Sequence, residues 1–218
     1  MKILKYTKII INSLFKNSKL SRKFVFNNLK LWKNYKCNTS KGILLLDYIQ
    51  SFENEIPRTY FANIFSKKNQ SKIYVFSDQK SILLNQEWIK NYKSFNVKKF
   101  IYIFFSKFFF KLFFSFKKKS QLNKYVHNIF SNINSKMDIM NLKYNDIEIG
   151  REIYAEYLMR YKKPTVNLRD ECLKNIIKEA VLIVEFWLDF FKTNKVVGVS
   201  LTHPNVRFLA LVGKIANE

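Results

Sequence analysis

From residue 41 onward the chain alternates short, continuous apolar runs with longer stretches of helical spacing. Ile43-Leu44-Leu45-Leu46, preceded by Gly42 and closed by Asp47, reads as a strand buried on both faces. Behind it Asn54 is placed to cap a helix, Pro57 falls in its first turn, and Tyr60, Phe61, Ile64 and Phe65 recur on one face. Lys72-Ile73-Tyr74-Val75-Phe76 predicts a second strand. A strand, a helix and a strand with short links form a βαβ unit, which requires parallel pairing.

The alternation continues. Ile82 to Tyr92 has helical spacing, Val97 to Phe105 is a third strand, and a Phe/Lys-rich stretch runs on as helix to about residue 134. Cys172, Leu173, Ile176, Ile177, Ala180, Val181, Val184, Trp187, Leu188 and Phe191 mark one long amphipathic helix, with Asp170 and Glu171 suited to its positive end. Lys195 to Leu201 reads as a short buried strand. Thr202-His203-Pro204 then opens a last helix, Thr202 as N-cap and proline in the first turn. Residues 1–40 are lysine-rich with scattered large apolar side chains and read as a basic helical arm. The expected architecture is therefore α/β: a Rossmann-like, open, mainly parallel sheet with flanking helices over 41–218, preceded by the arm.

Composition changes this picture in one respect. The 218 residues carry 39 Lys+Arg against 16 Asp+Glu, a net charge of +23, with 48% hydrophobic residues. That apolar fraction excludes wholesale disorder. The favoured Lys, Asn, Ile, Phe and Tyr all have A/T-rich codons, so a lysine excess does not by itself mark nucleic-acid contact. With six arginines, the usual bidentate readers of phosphate and guanine are sparse, and nucleic acid is disfavoured as a partner.

The basic start breaks at Asn12 and Ser13, before any cleavage site, so no export signal is read. Cys37 and Cys172 form no framework and suit a reducing compartment, which leaves the Asn38-Thr39-Ser40 sequon without a secretory context. The Phe100–Phe116 stretch is too short, and too interrupted by Lys107 and Lys111, for a membrane span. It is either a core strand running into a helix or a patch lying on an anionic membrane, with phenylalanines in the acyl boundary.

Common chemistries are missing from the sequence. All four glycines, Gly42, Gly150, Gly198 and Gly213, are isolated, so there is no dinucleotide fingerprint and no P-loop. His127 and His203 have no cysteine or carboxylate at metal-ligand spacing, and no metal site is expected. What remains is topological, because open α/β sheets bind ligands beyond the carboxyl ends of their strands. Asp47-Tyr48, Ser77-Asp78-Gln79 and Ser200 to Pro204 occupy such ends. His203, beside a helix N-terminus, is the candidate acid/base group; the alternative is a turn histidine bonded locally.

Leu142 to Leu158, with Ile149-Gly150, Ile153-Tyr154 and Tyr157-Leu158, then Pro164-Thr165, His203-Pro204 and Ile215-Ala216, resembles in order the bacterial capsule or surface polysaccharide biosynthesis proteins. Those are glycosyltransferase-like proteins of two Rossmann-like domains, of GT-B type. Arg151 and Ala155 stand where that pattern favours aspartates. The resemblance spans about residues 140–216, and 41–78 loosely. It implies a cytoplasmic acceptor-side domain, peripheral to the inner membrane, with His203 catalytic and Asp47, Tyr48, Thr202, Gly150 and Tyr154 binding substrate. It implies no cofactor held by this chain. The family's second domain, which binds the nucleotide-sugar donor, is not read after residue 218, so the resemblance implies a truncated product, a split gene whose donor domain lies in an adjacent reading frame, or a fragment without independent activity; the acceptor would be a saccharide or a lipid-linked one. For Gly150 a helix-start turn, and for Tyr154 and Tyr157 core packing, are the alternatives. The competing function is a noncatalytic basic module contacting RNA or an anionic membrane.

Overall fold

The computed structural model describes residues 19–32, 41–47, 52–77, 97–102, 116–202 and 208–217. They cluster into two compact units, one drawn from 1–104 and 195–202, the other from 105–194 and 203–218.

The first unit holds a four-stranded, all-parallel sheet in the order β3-β2-β1-β6, flanked by helices, an α/β Rossmann-like arrangement. Its strands are β1 Gly42–Asp47, β2 Ser71–Ser77, β3 Val97–Tyr102 and β6 Val196–Ser200. Every residue of β1 is buried, as its unbroken apolar run requires of a central parallel strand. α1 (Lys19–Trp32) precedes the sheet, and α2 (Phe52–Asn69) links β1 to β2. Leu44 and Leu46 of β1, Ile73 and Val75 of β2 and Val97 of β3 form one core with Ala62, and Phe65 packs against it. The pairing slips by one residue at two places, leaving Val197 extra against Ile43/Leu44 and Lys98 extra against Ile73/Tyr74. The arm's helix is anchored: Asn28, fully buried, accepts a 2.9 Å bond from the Tyr60 hydroxyl, and the rings of Trp32 and Tyr60 lie 6.3 Å apart.

α2 departs from expectation. It begins at Phe52, so Asn54 and Pro57 lie inside it. Pro57 is its sixth residue, an interior position where proline both forfeits the amide bond to the carbonyl four residues back and crowds that carbonyl with its ring.

The second unit is helical around α6 (Glu171–Thr193), against which α3 (Phe116–Asn132), α5 (Gly150–Tyr161) and α7 (Leu209–Ala216) pack. α6 buries Leu173, Ile176, Ile177, Ala180, Val181, Val184 and Trp187, the stripe read from its spacing. Asp170 is its N-cap, accepting the Cys172 amide at 2.9 Å.

Two small elements have no counterpart in the hydrophobic pattern. α4 (Lys136–Met140) starts with a reciprocal capping box between Ser135 and Asp138. β4 (Lys143–Tyr144) and β5 (Ile147–Glu148) form a hairpin whose turn residues Asn145 and Asp146 both take left-handed φ, 48° and 66°. Short polar side chains tolerate that conformation best after glycine.

The last described helix, α7, starts at Leu209 with Phe208 at its N-cap position. The expected helix at 82–92, most of the Phe/Lys-rich segment, and His203 and Pro204 lie outside the described residues.

Candidate functional site

Parallel neighbours in a sheet deliver their carboxyl ends to the same edge. β1 ends in Asp47 and β6 ends in Ser200, two residues before Thr202. The register pairs Leu46 with Ser200, so Asp47 lies one step beyond a shared rung. The Asp47 side chain is 1% exposed. A carboxylate at that depth requires donors on both oxygens.

It has them. Oδ2 accepts the Thr202 backbone N–H at 2.9 Å, and Oδ1 accepts the Thr202 hydroxyl at 3.1 Å. Arg58 closes the cluster from α2. Its Nη2 forms an ion pair with Asp47 Oδ1 and donates to the Ser200 carbonyl at 2.9 Å. Nη1 donates to the Thr202 hydroxyl and, at 3.4 Å, to the Asp47 carbonyl. The guanidinium therefore bridges the ends of β1 and β6, and the threonine hydroxyl receives a hydrogen bond from arginine while giving one to aspartate. One positive and one negative charge balance at the strand ends, with the arginine side chain 17% exposed.

Sequence reading brings out Asp47 and Thr202 but not Arg58. The available signal was its position, directly after Pro57 in the helix that leaves β1, as one of only six arginines in a lysine-rich chain. The chemistry of the cluster is positional. Both Asp47 oxygens are engaged, so the carboxylate holds the Thr202 backbone in place, immediately before His203 in the sequence. Tyr48 and His203 lie outside the described residues.

Gly150 and Tyr154 belong to the other unit. Gly150 is the buried first residue of α5, and its φ is not positive. Glycine is required there by proximity: a Cβ would run into the carbonyl oxygens of Ile139 and Met140, with the Met140 carbonyl carbon at 2.6 Å. Tyr154 is half-buried on the same helix. Arg151, which replaces a carboxylate of the resembled pattern, is exposed, and Ala155 is half-buried.

The same unit buries several acids, each with a partner. Glu156 accepts from Arg160 Nε at 2.9 Å and Nη2 at 2.6 Å, while Nη1 reaches Glu179 at 2.6 Å. Glu152 pairs with Lys214 at 2.9 Å. Glu185 accepts from the Tyr144 hydroxyl at 2.7 Å and from Asn145 at 3.3 Å. Burial, and then the bond to Glu185, holds the Tyr144 phenol protonated far into the alkaline range. Tyr157, buried and donating to Asp170 at 2.6 Å, is raised first by burial. Asp170 is held below the ordinary carboxylate value, chiefly by that hydroxyl and next by the Cys172 amide. These groups stabilise their charged or neutral forms mutually and knit α5, α6, α7 and the hairpin together.

Among the described residues no group of three His, Cys, Asp or Glu side chains could hold a metal ion. None of the described helices is long and apolar enough to cross a membrane. Set against protein-family models, curated proteins and solved structures, the chain matches none of them.

Proposed function

We infer that this chain is the acceptor-side part of a glycosyltransferase of bacterial surface polysaccharide synthesis, acting at the carboxyl edge of its parallel sheet. The observation that carries the reading is the Asp47–Arg58–Thr202 cluster, which fixes the ends of two adjacent strands one residue before His203. Strand ends of open α/β sheets are where such folds bind ligands, and Thr202 directly precedes the candidate histidine in the sequence.

In this reading His203 takes the proton from an acceptor hydroxyl as that oxygen attacks the anomeric carbon, and the nucleoside diphosphate leaves with the electron pair of the broken glycosidic bond. Asp47, Arg58 and Thr202 are positioning residues. The donor nucleotide sugar is bound by a second α/β domain, and the acceptor is a saccharide, free or lipid-linked. The order of Ile149-Gly150, Ile153-Tyr154, Pro164-Thr165 and His203-Pro204 supports the same family reading.

The test is glycosyl transfer from labelled nucleotide sugars to membrane-extracted acceptor, with this chain and the product of the adjacent downstream reading frame together and separately. His203→Ala lowers turnover by about two to four orders of magnitude, the usual contribution of a general acid/base. Transfer that is indifferent to His203→Ala, or a downstream frame encoding no second α/β domain, would count against the proposal. Binding to arbitrary RNA with a steep salt dependence would favour the noncatalytic alternative.

A further inference from the structure

α1 presents a surface that the buried core does not explain. Its sequence, KLSRKFVFNNLKLW, contains four basic residues and no acid. Asn28 faces inward to Tyr60. At 100° per residue, Lys23, Phe26 and Lys30 fall on the opposite side of the helix, and Leu29 lies between the two sides. All four are exposed, Phe26 to 69% and Leu29 to 53%. The helix is thus tied down by one face and displays apolar side chains set among lysines on the other. α2, to which it is tied, also leaves Phe61 and Ile64 exposed and ends in the exposed Lys67 and Lys68.

We propose that the outward face of α1 is a docking surface for an anionic lipid bilayer, on which the helix lies flat with Phe26 and Leu29 at the headgroup–acyl boundary and Lys23 and Lys30 on the headgroups. Two observations select that occupant. Phe26 and Leu29 form a small apolar strip bordered on one side by Lys23 and Lys30, in a helix with no acid, an arrangement that suits snorkelling ammonium groups better than a dry protein interface. A net charge of +23 gives the molecule long-range attraction to an extended anionic plane. The inference concerns lipid binding alone and stands whether or not His203 catalyses glycosyl transfer.

The experiment is vesicle flotation of the full chain, comparing liposomes of phosphatidylglycerol and phosphatidylethanolamine with liposomes of phosphatidylcholine alone. The expected result is binding to the anionic vesicles at least about tenfold tighter than to the neutral ones, weakening with salt. Lys23→Gln with Lys30→Gln lowers binding by about thirtyfold at low salt, from two headgroup contacts. Phe26→Ser with Leu29→Ser lowers it at low and high salt alike. Because these residues are exposed, the far-UV circular dichroism of both variants stays that of the parent. Equal binding to neutral vesicles, no binding to either, or anionic binding unchanged in both variants overturns the proposal. So does a dimer in sedimentation that Phe26→Ser with Leu29→Ser abolishes, which would make a second copy the occupant. RNA retention lost in the lysine variant but kept in the Phe/Leu variant, without vesicle binding, would assign the face to nucleic acid.

Discussion

Asp47 is the residue on which the carboxyl edge of the sheet depends, because a buried carboxylate and a mostly buried guanidinium are each tolerable only beside the other. Asp47→Asn keeps the shape and removes the charge, leaving Arg58 uncompensated. The expected cost is about 3 kcal/mol, read from the urea midpoint of the parent and the variant. Thr202→Val removes the hydroxyl but keeps the ion pair and the backbone N–H bond to Asp47, so its cost is about 1 kcal/mol. If the two substitutions cost the same, the ion pair is not what stabilises this edge.

At the scale of elements, the close approach of α4 and α5 rests on Gly150. Alanine there meets backbone carbonyls that cannot rotate away, so Gly150→Ala costs about 3 kcal/mol or more and lowers the melting temperature by roughly 6–12 °C. Gly198 in β6 is the contrast. Its added Cβ would lie 3.2 Å from Leu44 Cδ1 and 3.5 Å from the Phe65 ring, both side chains with room to yield, and Gly198→Ala changes stability by no more than about 1 kcal/mol.

The helix–hairpin network predicts opposite pH limits. Asp170 has a lowered pKa in the fold, so its contribution is complete above the ordinary 3.8 and is lost as pH falls through the lowered native value. Tyr144 has a raised one, so its contribution is complete below 10.0 and is lost as pH climbs through the raised native value. In urea unfolding, the deficit of Asp170→Asn therefore shrinks below pH 3.8, and that of Tyr144→Phe shrinks above pH 10. Deficits that do not vary with pH would contradict both shifts, the hydrogen-bonded one of Asp170 and the chiefly burial-driven one of Tyr144.

Across the whole molecule, what was legible in the sequence was whatever hydrophobic periodicity encodes. β1, β2, β3, β6 and α6 appear where short apolar segments and a 3.6-residue stripe place them. Features that depend on a few polar atoms were not legible. The capping box of Ser135 and Asp138 is too short to raise a helical pattern, and the Asn145-Asp146 turn joins strands of two residues each. α2 begins earlier than its proline suggested, with Pro57 inside it rather than in its first turn. Of the site, Asp47 and Thr202 could be named because strand ends follow from strands. Arg58 could not, because its partner residues lie 11 and 144 positions away.

The same separation sets a clock. Asp47 is bonded to a threonine 155 residues further along the chain. At a synthesis rate of about 5–20 residues per second, roughly 8–30 s pass between the emergence of β1 and that of its second neighbour, β6. During that interval one edge of Ile43-Leu44-Leu45-Leu46 has no strand beside it, and Asp47 has no threonine. An unpaired apolar edge is a template for association with other chains. Until β6 has been made, that edge is the nascent chain's exposed template, and the finished sheet closes it only when the last strand arrives.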